Sequence, residues 1–306
     1  MRAFTLDGFE STPGLRDDLP SPSAGVGEVL VRVHASSVNP ADAAIASGML
    51  KGMAEYEFPV TLGRDFAGVV EEVGSGVTQY DVGDEVFGFV LHANPAVHEG
   101  SWADCVAIAQ DSVARAPRGV DLETVGVAPL AGLTAIAALD ALELSDGDTV
   151  IVIGASGGVG SFFVQLARNV GAHVVAPALP EDGDYLRELG VSETLERDSD
   201  LAARVRERFP TGFDAALDLV SFTPDASVLK EGGRLVSPLG AAGEGPGRTN
   251  VMASGTTANL ERLGGLVESG SLRVHVRQTY GLEQAGEALK SLASRHTQGK
   301  LAIAIA

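Results

Sequence analysis

The stretch that decides the fold is TVIVIGASGGVGSFFVQLARNVG, residues 149–171. Its first five residues are apolar or β-branched, as a strand buried on both faces of a parallel sheet requires. A glycine turn follows at once: Gly154, Ala155, Ser156, Gly157, Gly158, Val159, Gly160. Phe162, Phe163, Leu166 and Val170 then recur at helical spacing, and Gly171 stands where a helix stops. Strand, glycine turn and helix in that order give a short glycine pattern its meaning. Gly157 has no side chain, so a pyrophosphate can approach its backbone. Gly160 lets the helix lie close to the strand. Ala155 occupies the place of the first glycine of the usual fingerprint, where a small residue still fits. The helix start offers unpaired N–H groups and a partial positive charge to phosphates. The competing reading is a glycine-rich turn in some other α/β protein, and the flanking strand and helix weigh against it.

Outward from this centre, predicted strands at residues 173–176, 193–195, 213–219, 234–239 and 272–276 alternate with helices at 181–189, 201–209 and 257–268. Six strands with helices between them match a doubly wound dinucleotide fold. A last helix at 282–292 and a last strand at 301–305 read as a tail that packs back on the N-terminal part. Upstream, residues 2–6, 28–35, 66–73 and 102–106 read as strands, and 80–89 as a turn and strand in which Asp81, Gly83 and Asp84 supply the turn chemistry. A short helix over 41–47 follows Asn39 and Pro40, and residues 90–101 form an irregular excursion. Residues 122–142 are a long apolar helical region broken at Pro129 and Gly132. Short strands and turns make the N-terminal part a β-rich, barrel-like domain. The expected fold is therefore α/β, with a doubly wound parallel sheet over residues 123–276 and a β-rich domain over 1–122 and 277–306.

The chain has 306 residues, 45% of them hydrophobic, with 22 basic and 41 acidic side chains and a formal charge of −19. No basic field is available to hold a nucleic acid or an anionic membrane. Local dipoles must therefore hold any anionic cofactor. Cys105 is the only cysteine, so no disulfide within the chain and no cysteine-rich zinc site can form. The N-terminus lacks the apolar core of a signal peptide, and no run of about twenty apolar residues marks a membrane span. A soluble cytoplasmic protein is the expectation.

Taken together the residues resemble the medium-chain dehydrogenase/reductase superfamily, and within it the zinc-free quinone oxidoreductases. The resemblance covers essentially the whole chain. It rests on Val38-Asn39-Pro40-Ala41-Asp42, Leu62-Gly63-Arg64-Asp65-Phe66-Ala67-Gly68, Val82-Gly83-Asp84-Glu85-Val86, Ala131-Gly132-Leu133-Thr134-Ala135, the loop Gly154 to Gly160, and Gly299-Lys300. It implies a Rossmann sheet beside a GroES-like substrate domain. In the zinc alcohol dehydrogenases of the superfamily a cysteine stands where Asn39 stands, and a histidine and a glutamate where Arg64 and Asp65 stand. Amide and guanidinium cannot replace thiolate and imidazole as zinc ligands, and the four-cysteine structural zinc loop is missing. Neither a catalytic nor a structural metal is expected. His92 and His98 share a loop without a neighbouring cysteine, His34, His173 and His275 lie in or beside strands, and His296 ends the last helix.

Without a metal, oxidation of an alcohol through a bound alkoxide is hard. Hydride transfer to a quinone or to an alkene conjugated to a carbonyl remains feasible, because the charge delocalises onto oxygen. The resemblance thus implies NAD(P)H-dependent reduction of such an acceptor. Asn39 can donate to a substrate oxygen or orient the nicotinamide ribose; alternatively it caps the helix after Pro40. Arg64 pairs with Asp65 or Asp42, or faces the substrate oxygen. Thr134 matches a family threonine near the nicotinamide, or bonds its own helix backbone. Tyr56 is a candidate proton donor, with packing as the alternative. Met49, Met53, Tyr56 and the 90–101 excursion are expected to line the substrate pocket.

For the cofactor, Ser156, Gly157, Gly158, Val159 and Gly160 should touch the pyrophosphate. Leu219 and Val220 follow the fourth strand, Leu239 and Gly240 the fifth, and Lys300 matches a basic residue near the cofactor cleft. The second strand ends at Ala176-Pro177-Ala178, with no acid at its tip to select NAD. The family implies NADPH, yet Glu181 and Asp182 would repel a 2′-phosphate if they point inward, so NADP(H) is favoured with NAD(H) open. Two rivals remain: an enoyl-thioester or double-bond reductase of a biosynthetic pathway, and a dinucleotide-binding protein with little turnover. The family also implies a homodimer through edge strands, with residues 272–276 as the edge.

Overall fold

The computed structural model describes residues 1–90, 97–197, 201–294 and 296–306. The chain divides into two compact units. The first comprises Met1–Leu130, Gly255–Ser269 and Val276–Ala306; the second comprises Ala131–Ser254 and Gly270–His275.

In chain order the elements of the first unit begin with β1 (Ala3–Leu6), β2 (Gly14–Arg16), β3 (Glu28–Val38), α1 (Pro40–Ala46), β4 (Val60–Thr61), β5 (Asp65–Val73), β6 (Glu85–Phe89), β7 (Cys105–Ala109), β8 (Val113–Arg115) and α2 (Leu122–Val125). Helix α3 (Pro129–Leu142) begins in this unit and continues into the second. The second unit holds β9 (Thr149–Ile153), α4 (Gly158–Asn169), β10 (His173–Ala178), α5 (Gly183–Leu189), β11 (Glu193–Glu196), α6 (Leu201–Arg208), β12 (Phe213–Asp218), β13 (Leu229–Ser237) and β14 (Arg248–Asn250). The chain then returns to the first unit with α7 (Thr257–Glu268), β15 (Val276–Gly281), α8 (Ala285–Ser294) and β16 (Lys300–Ala304).

The first unit is β-rich. A three-stranded sheet runs β2-β1-β4, and a seven-stranded one runs β15-β16-β3-β5-β6-β8 with β7 also paired to β3. Strand β3 is its centre, and its sequence says why. Val29, Val31 and Val33 alternate with the exposed Arg32, a half-buried pattern, until four successive residues from Ala35 to Val38 are all buried. There β16 covers one edge in antiparallel register, Leu301 opposite Val38 and Ala304 opposite Ala35. Val29, Val31, Val33, Phe66, Val86 and Trp102 form the core, each fully buried apolar side chain stabilising by roughly 1.5–3 kcal/mol.

The second unit is a six-stranded parallel sheet in the order β11-β10-β9-β12-β13-β14. It is the doubly wound order, with its reversal beside β9. Helix α4 lies close on β9 because Gly160 lacks a side chain: a Cβ there would sit 2.2 Å from the Gly154 carbonyl oxygen and 2.6 Å from Ala155 Cα.

Four expectations are corrected. Residues 272–276 are not the sixth strand; β14 is, paired in parallel with β13 from Leu235 opposite Arg248 to Ser237 opposite Asn250. Leu272 is buried, but the segment is held by a side chain instead of a ladder. Gln165 Nε2 donates to the Arg273 carbonyl at 3.0 Å, and its Oε1 accepts the Arg273 N–H at 2.8 Å. From Val276 onward the chain forms β15 and pairs with β16 in the first unit. The strand expected at 102–106 begins only at Cys105, because Trp102 exchanges backbone bonds with Phe4 and Leu62 instead. Helix α7 belongs to the first unit, not to the dinucleotide unit: Gly264 faces Phe87 and Pro117, and Thr257 Oγ1 donates to the Gln110 carbonyl at 3.4 Å. Gly132 does not interrupt α3, which runs unbroken from Pro129.

At the N-terminal end of β12, Asp214 accepts from Lys230 Nζ at 2.8 and 2.9 Å and from Thr149 N and Oγ1 at 2.9 and 2.8 Å. Burial alone would raise its pKa, but the bonds from Lys230 and Thr149 overcome this and lower it from 3.8 to about 2. A carboxyl depressed in the fold contributes stability above its unfolded pKa and loses it as pH falls through the folded one. Discounted for partial exposure, the contribution is on the order of 1–2 kcal/mol. Replacing Asp214→Asn should therefore lower the denaturation midpoint at pH 7, with the gap to the parent closing between about pH 4 and pH 2. Urea titrations at both ends of that range measure it, and an equal gap at both would refute the assignment.

Candidate active site

The sequence places a polar pair, Ser36-Ser37, between Ala35 and Val38 at the buried end of β3, followed by Asn39 and α1. Hydroxyls buried in a strand need partners, and Asp65 at the start of β5 supplies them. Its backbone oxygen accepts from Ser36 Oγ at 2.5 Å and Ser101 Oγ at 2.6 Å. Its carboxylate Oδ2 accepts from Ser37 Oγ at 2.5 Å and Asn39 Nδ2 at 2.9 Å, and Oδ1 accepts from the Leu130 N–H at 2.6 Å. From β16, Lys300 Nζ donates to Asn39 Oδ1 at 2.5 Å and lies 3.6 Å from Asp65 Oδ2. Across α1, Asp42 Oδ2 accepts the Asn39 N–H at 2.7 Å, and its Oδ1 lies 3.9 Å from Arg64 Nε. Arg64 Nη2 donates to the carbonyls of Thr61 at 3.1 Å and Glu99 at 2.5 Å.

Asp42, Arg64 and Asp65 are 0% exposed and Lys300 is 3% exposed. Burial pushes the Asp42 carboxyl up to about 7, against the opposing pull of Arg64. Burial lowers both Lys300 and Arg64 from their usual values, and the neighbouring carboxylates partly offset it. Two acids and two bases share one water-free site in which any change of charge is felt by all four.

Of the expected site residues in this unit, Asn39, Arg64 and Lys300 come together. The Asn39 side chain is committed to Lys300, Ser37 and Asp65. Arg64 sits nearest Asp42, with its fork on backbone carbonyls. Tyr56 is set apart, its ring 4.8 Å from Phe9 and 5.7 Å from Phe58, and burial raises its hydroxyl pKa. Met49 and Met53 are exposed. Residues 91–96 of the excursion, including His92, lie outside the described residues. His98 is half-buried, its Nδ1 2.7 Å from the Glu57 carbonyl. The hub role of Asp65, the two serines beneath it and the Leu130 contact were missed in the sequence; the only available signal was the unbroken polar pair inside a strand.

In the second unit, the glycine turn leaves β9 at Gly154, whose φ of +89° only glycine adopts readily. Gly157 precedes α4 in extended backbone (φ −75°, ψ −178°) and gives the helix no side-chain cap. A Cβ on Gly157 would meet only the Gly154 carbonyl, at 3.5 Å. Space and unpaired N–H groups are thus both present at the helix start, and this cradle fits a pyrophosphate. Ser156 is buried, while Gly158 and Val159 are half-buried. The loop after β12 lies against the same turn: Val220 Cγ2 would be 2.9 Å, and Leu219 Cβ 3.3 Å, from a Cβ on Gly154. Asp218 Oδ1 shapes that loop by accepting the N–H groups of Val220 and Ser221 at 2.9 and 2.8 Å. After β13, Leu239 and Gly240 are exposed, and Ser237 Oγ accepts the Leu239 N–H at 3.2 Å. Ala178 ends β10 buried, its carbonyl accepting the N–H of the exposed Arg197 at 3.1 Å. Beyond Ala178, Glu181 is exposed and Asp182 is buried. Thr134 is buried on α3.

A zinc ion does not fit the donor set around Asn39. An amide and a guanidinium stand where soft or imidazole ligands would be needed, and Arg64 and Lys300 already supply positive charge there. Among the described residues no group of three or more His, Cys, Asp and Glu side chains is arranged to hold a metal. Among them, too, no helix is long and apolar enough to cross a membrane.

Comparison with known proteins accords with these features. Residues 25–138 match the family model described as alcohol dehydrogenase GroES-like domain, and residues 189–303 match the one described as zinc-binding dehydrogenase. The chain is 30% identical over 296 residues to an NADPH-dependent alkenal/one oxidoreductase of Arabidopsis thaliana chloroplasts, covering 94% of this chain and 75% of that protein. It is 30% identical over 318 residues to a quinone oxidoreductase of Pseudomonas aeruginosa, covering 93% of each. Among solved structures, the quinone oxidoreductase of Coxiella burnetii superposes with a TM-score of 0.89 at 29% identity, over 100% of this chain and 99% of that one.

The two glycines of the turn should behave differently when substituted. Gly157→Ala meets only ordinary contact, so the thermal midpoint should stay within about 2 °C while dinucleotide affinity falls about tenfold or more by blocked approach. Gly160→Ala collides with backbone on both sides and should lower the midpoint itself. Calorimetric titration beside thermal melts separates the two; unchanged affinity in Gly157→Ala would remove the cradle.

Proposed function

The chain belongs to the medium-chain dehydrogenase/reductase superfamily, in its quinone oxidoreductase-like group of NAD(P)H-dependent oxidoreductases, and from that premise we propose that it reduces a quinone or an α,β-unsaturated carbonyl with NADPH and without zinc. The observation that carries this reading is the closed cluster of Asn39, Asp42, Arg64, Asp65 and Lys300, which puts fixed charges where a metal would need ligands.

A reduced nicotinamide supplies the hydride when it is bound. On the second unit Ser156, Gly157, Gly158, Val159 and Gly160 hold the pyrophosphate by backbone N–H groups at the start of α4. Ala178, Leu219, Val220, Leu239 and Gly240 line the dinucleotide along the strand ends, and Thr134 contributes a hydroxyl. On the first unit Lys300 orients the Asn39 amide through its bond to Oδ1. The positive ends of Arg64 and Lys300 favour negative charge developing on an acceptor oxygen. Tyr56, stacked among Phe9 and Phe58, serves packing, and solvent supplies the proton. The name of the Arabidopsis relative attributes NADPH dependence to that protein. Here the choice of NADPH is supported by the absence of an acid at Ala178 and by Arg197, a basic residue whose backbone N–H bonds the Ala178 carbonyl. The net charge of −19 disfavours a thioester on a phosphorylated carrier and favours a neutral acceptor.

Purified protein should oxidise NADPH in the presence of 1,4-benzoquinone or a simple enone at a rate unaffected by a zinc chelator, with a lower KM for NADPH than for NADH. Tight NADPH binding without turnover on either acceptor would replace this reading by that of a binding protein; a rate restored only by zinc would overturn it.

A homodimer is proposed as well, through the outer edge of β14, a three-residue strand that among the described residues is paired on one side only. Sedimentation velocity should give a species of twice the 31.4 kDa chain mass; a Arg248→Pro substitution should halve it, and a monomeric parent ends the proposal.

A further inference from the structure

Helix α3 starts without a cap of its own. The residue before Pro129 is Ala128, which has no side-chain acceptor, and Pro129 has no N–H. The first N–H that needs a partner is that of Leu130. It is met by Asp65 Oδ1 at 2.6 Å, from a residue 65 positions earlier in the chain. A carboxylate at a helix N-terminus is favoured by the helix dipole as well as by the bond. The same carboxylate is held on its other oxygen by Ser37 and Asn39, with Lys300 at 3.6 Å.

We propose that Asp65 is a positioning residue: it ties the Leu130 N–H at the start of α3 to the group formed by Ser37, Asn39 and Lys300, and so holds the Asn39 amide in place. A local acid at position 128 would cap the helix equally well. The use of a remote, fully buried acid ties the helix start to the same Asn39 amide that Lys300 orients. The inference rests on reading Asn39 as a cofactor contact.

The experiment uses the full chain. Amide hydrogen exchange is followed in the parent, Asp65→Ala and Asp65→Asn, beside NADPH affinity by calorimetry. In Asp65→Ala the amides of residues 130–134 should exchange about tenfold faster, with β9 and β12 unchanged. Asp65→Asn keeps the shape and one acceptor; it should accelerate the same amides by a smaller factor, about threefold, and it decides the matter if Asp65→Ala does not fold. The NADPH dissociation constant should rise about tenfold in Asp65→Asn and in Asn39→Ala, and the double variant should be no more than about twofold weaker than the weaker single one. Unchanged exchange at 130–134, or losses that multiply in the double variant, would overturn the role of Asp65. Absence of NADPH binding by the parent would instead refute the function proposed above, and the exchange data would still report on the cap.

Discussion

The structure of the first unit depends on the mutual neutralisation of four charges that water does not reach. Asp42, Arg64, Asp65 and Lys300 come from α1, the turn before β5, β5 itself and β16. Each ion taken out of water costs several kcal/mol unless partners and hydrogen bonds replace its hydration. That requirement draws together chain segments more than two hundred residues apart, as the Lys300 to Asn39 bond shows. It also explains the serines at the end of β3. Ser36 and Ser37 would be poor choices for a buried strand, but here they satisfy the backbone oxygen and carboxylate of Asp65.

The cluster also differs in kind from a zinc site. A zinc site concentrates charge in one ion and needs thiolate or imidazole around it. Here the charge is spread over two fixed cations, and two carboxylates balance them. In a chain carrying a net charge of −19, such a local concentration of buried cations stands against the general field. Its electrostatic effect is strong because the surroundings are dry.

The second unit rests on a different constraint, the close approach of backbone to backbone. Gly160 lets α4 lie on the turn after β9, and that contact leaves the helix start open at Gly157. Away from the turn the unit is braced by side chains acting as backbone partners. Gln165 clasps Arg273 on both its N–H and its carbonyl, and Asp214 does comparable work at the base of β12.

The parallel sheet, its glycine turn and the β-rich first unit were legible because their patterns are local: a run of branched apolar residues, glycines at fixed offsets, valines alternating along β3. The site residues Asn39, Arg64 and Lys300 could be named from short motifs, yet nothing local said that Lys300 would bond Asn39. The sixth strand was misplaced for the same reason. Residues 272–276 alternate like a strand but are claimed by Gln165, whereas Arg248–Asn250 has no apolar pattern and pairs only because β13 offers an edge. Helix α7 shows which face is apolar but not which unit will cover it. Sequence alone determined the class of fold, the glycine turn between β9 and α4 and the lack of thiolate and imidazole at Asn39 and Arg64, since these follow from residue type and near-neighbour spacing. Tertiary structure decided which acid caps α3, which cation holds Asn39 and which strand closes the sheet, since a buried polar group takes whichever partner folding brings within reach.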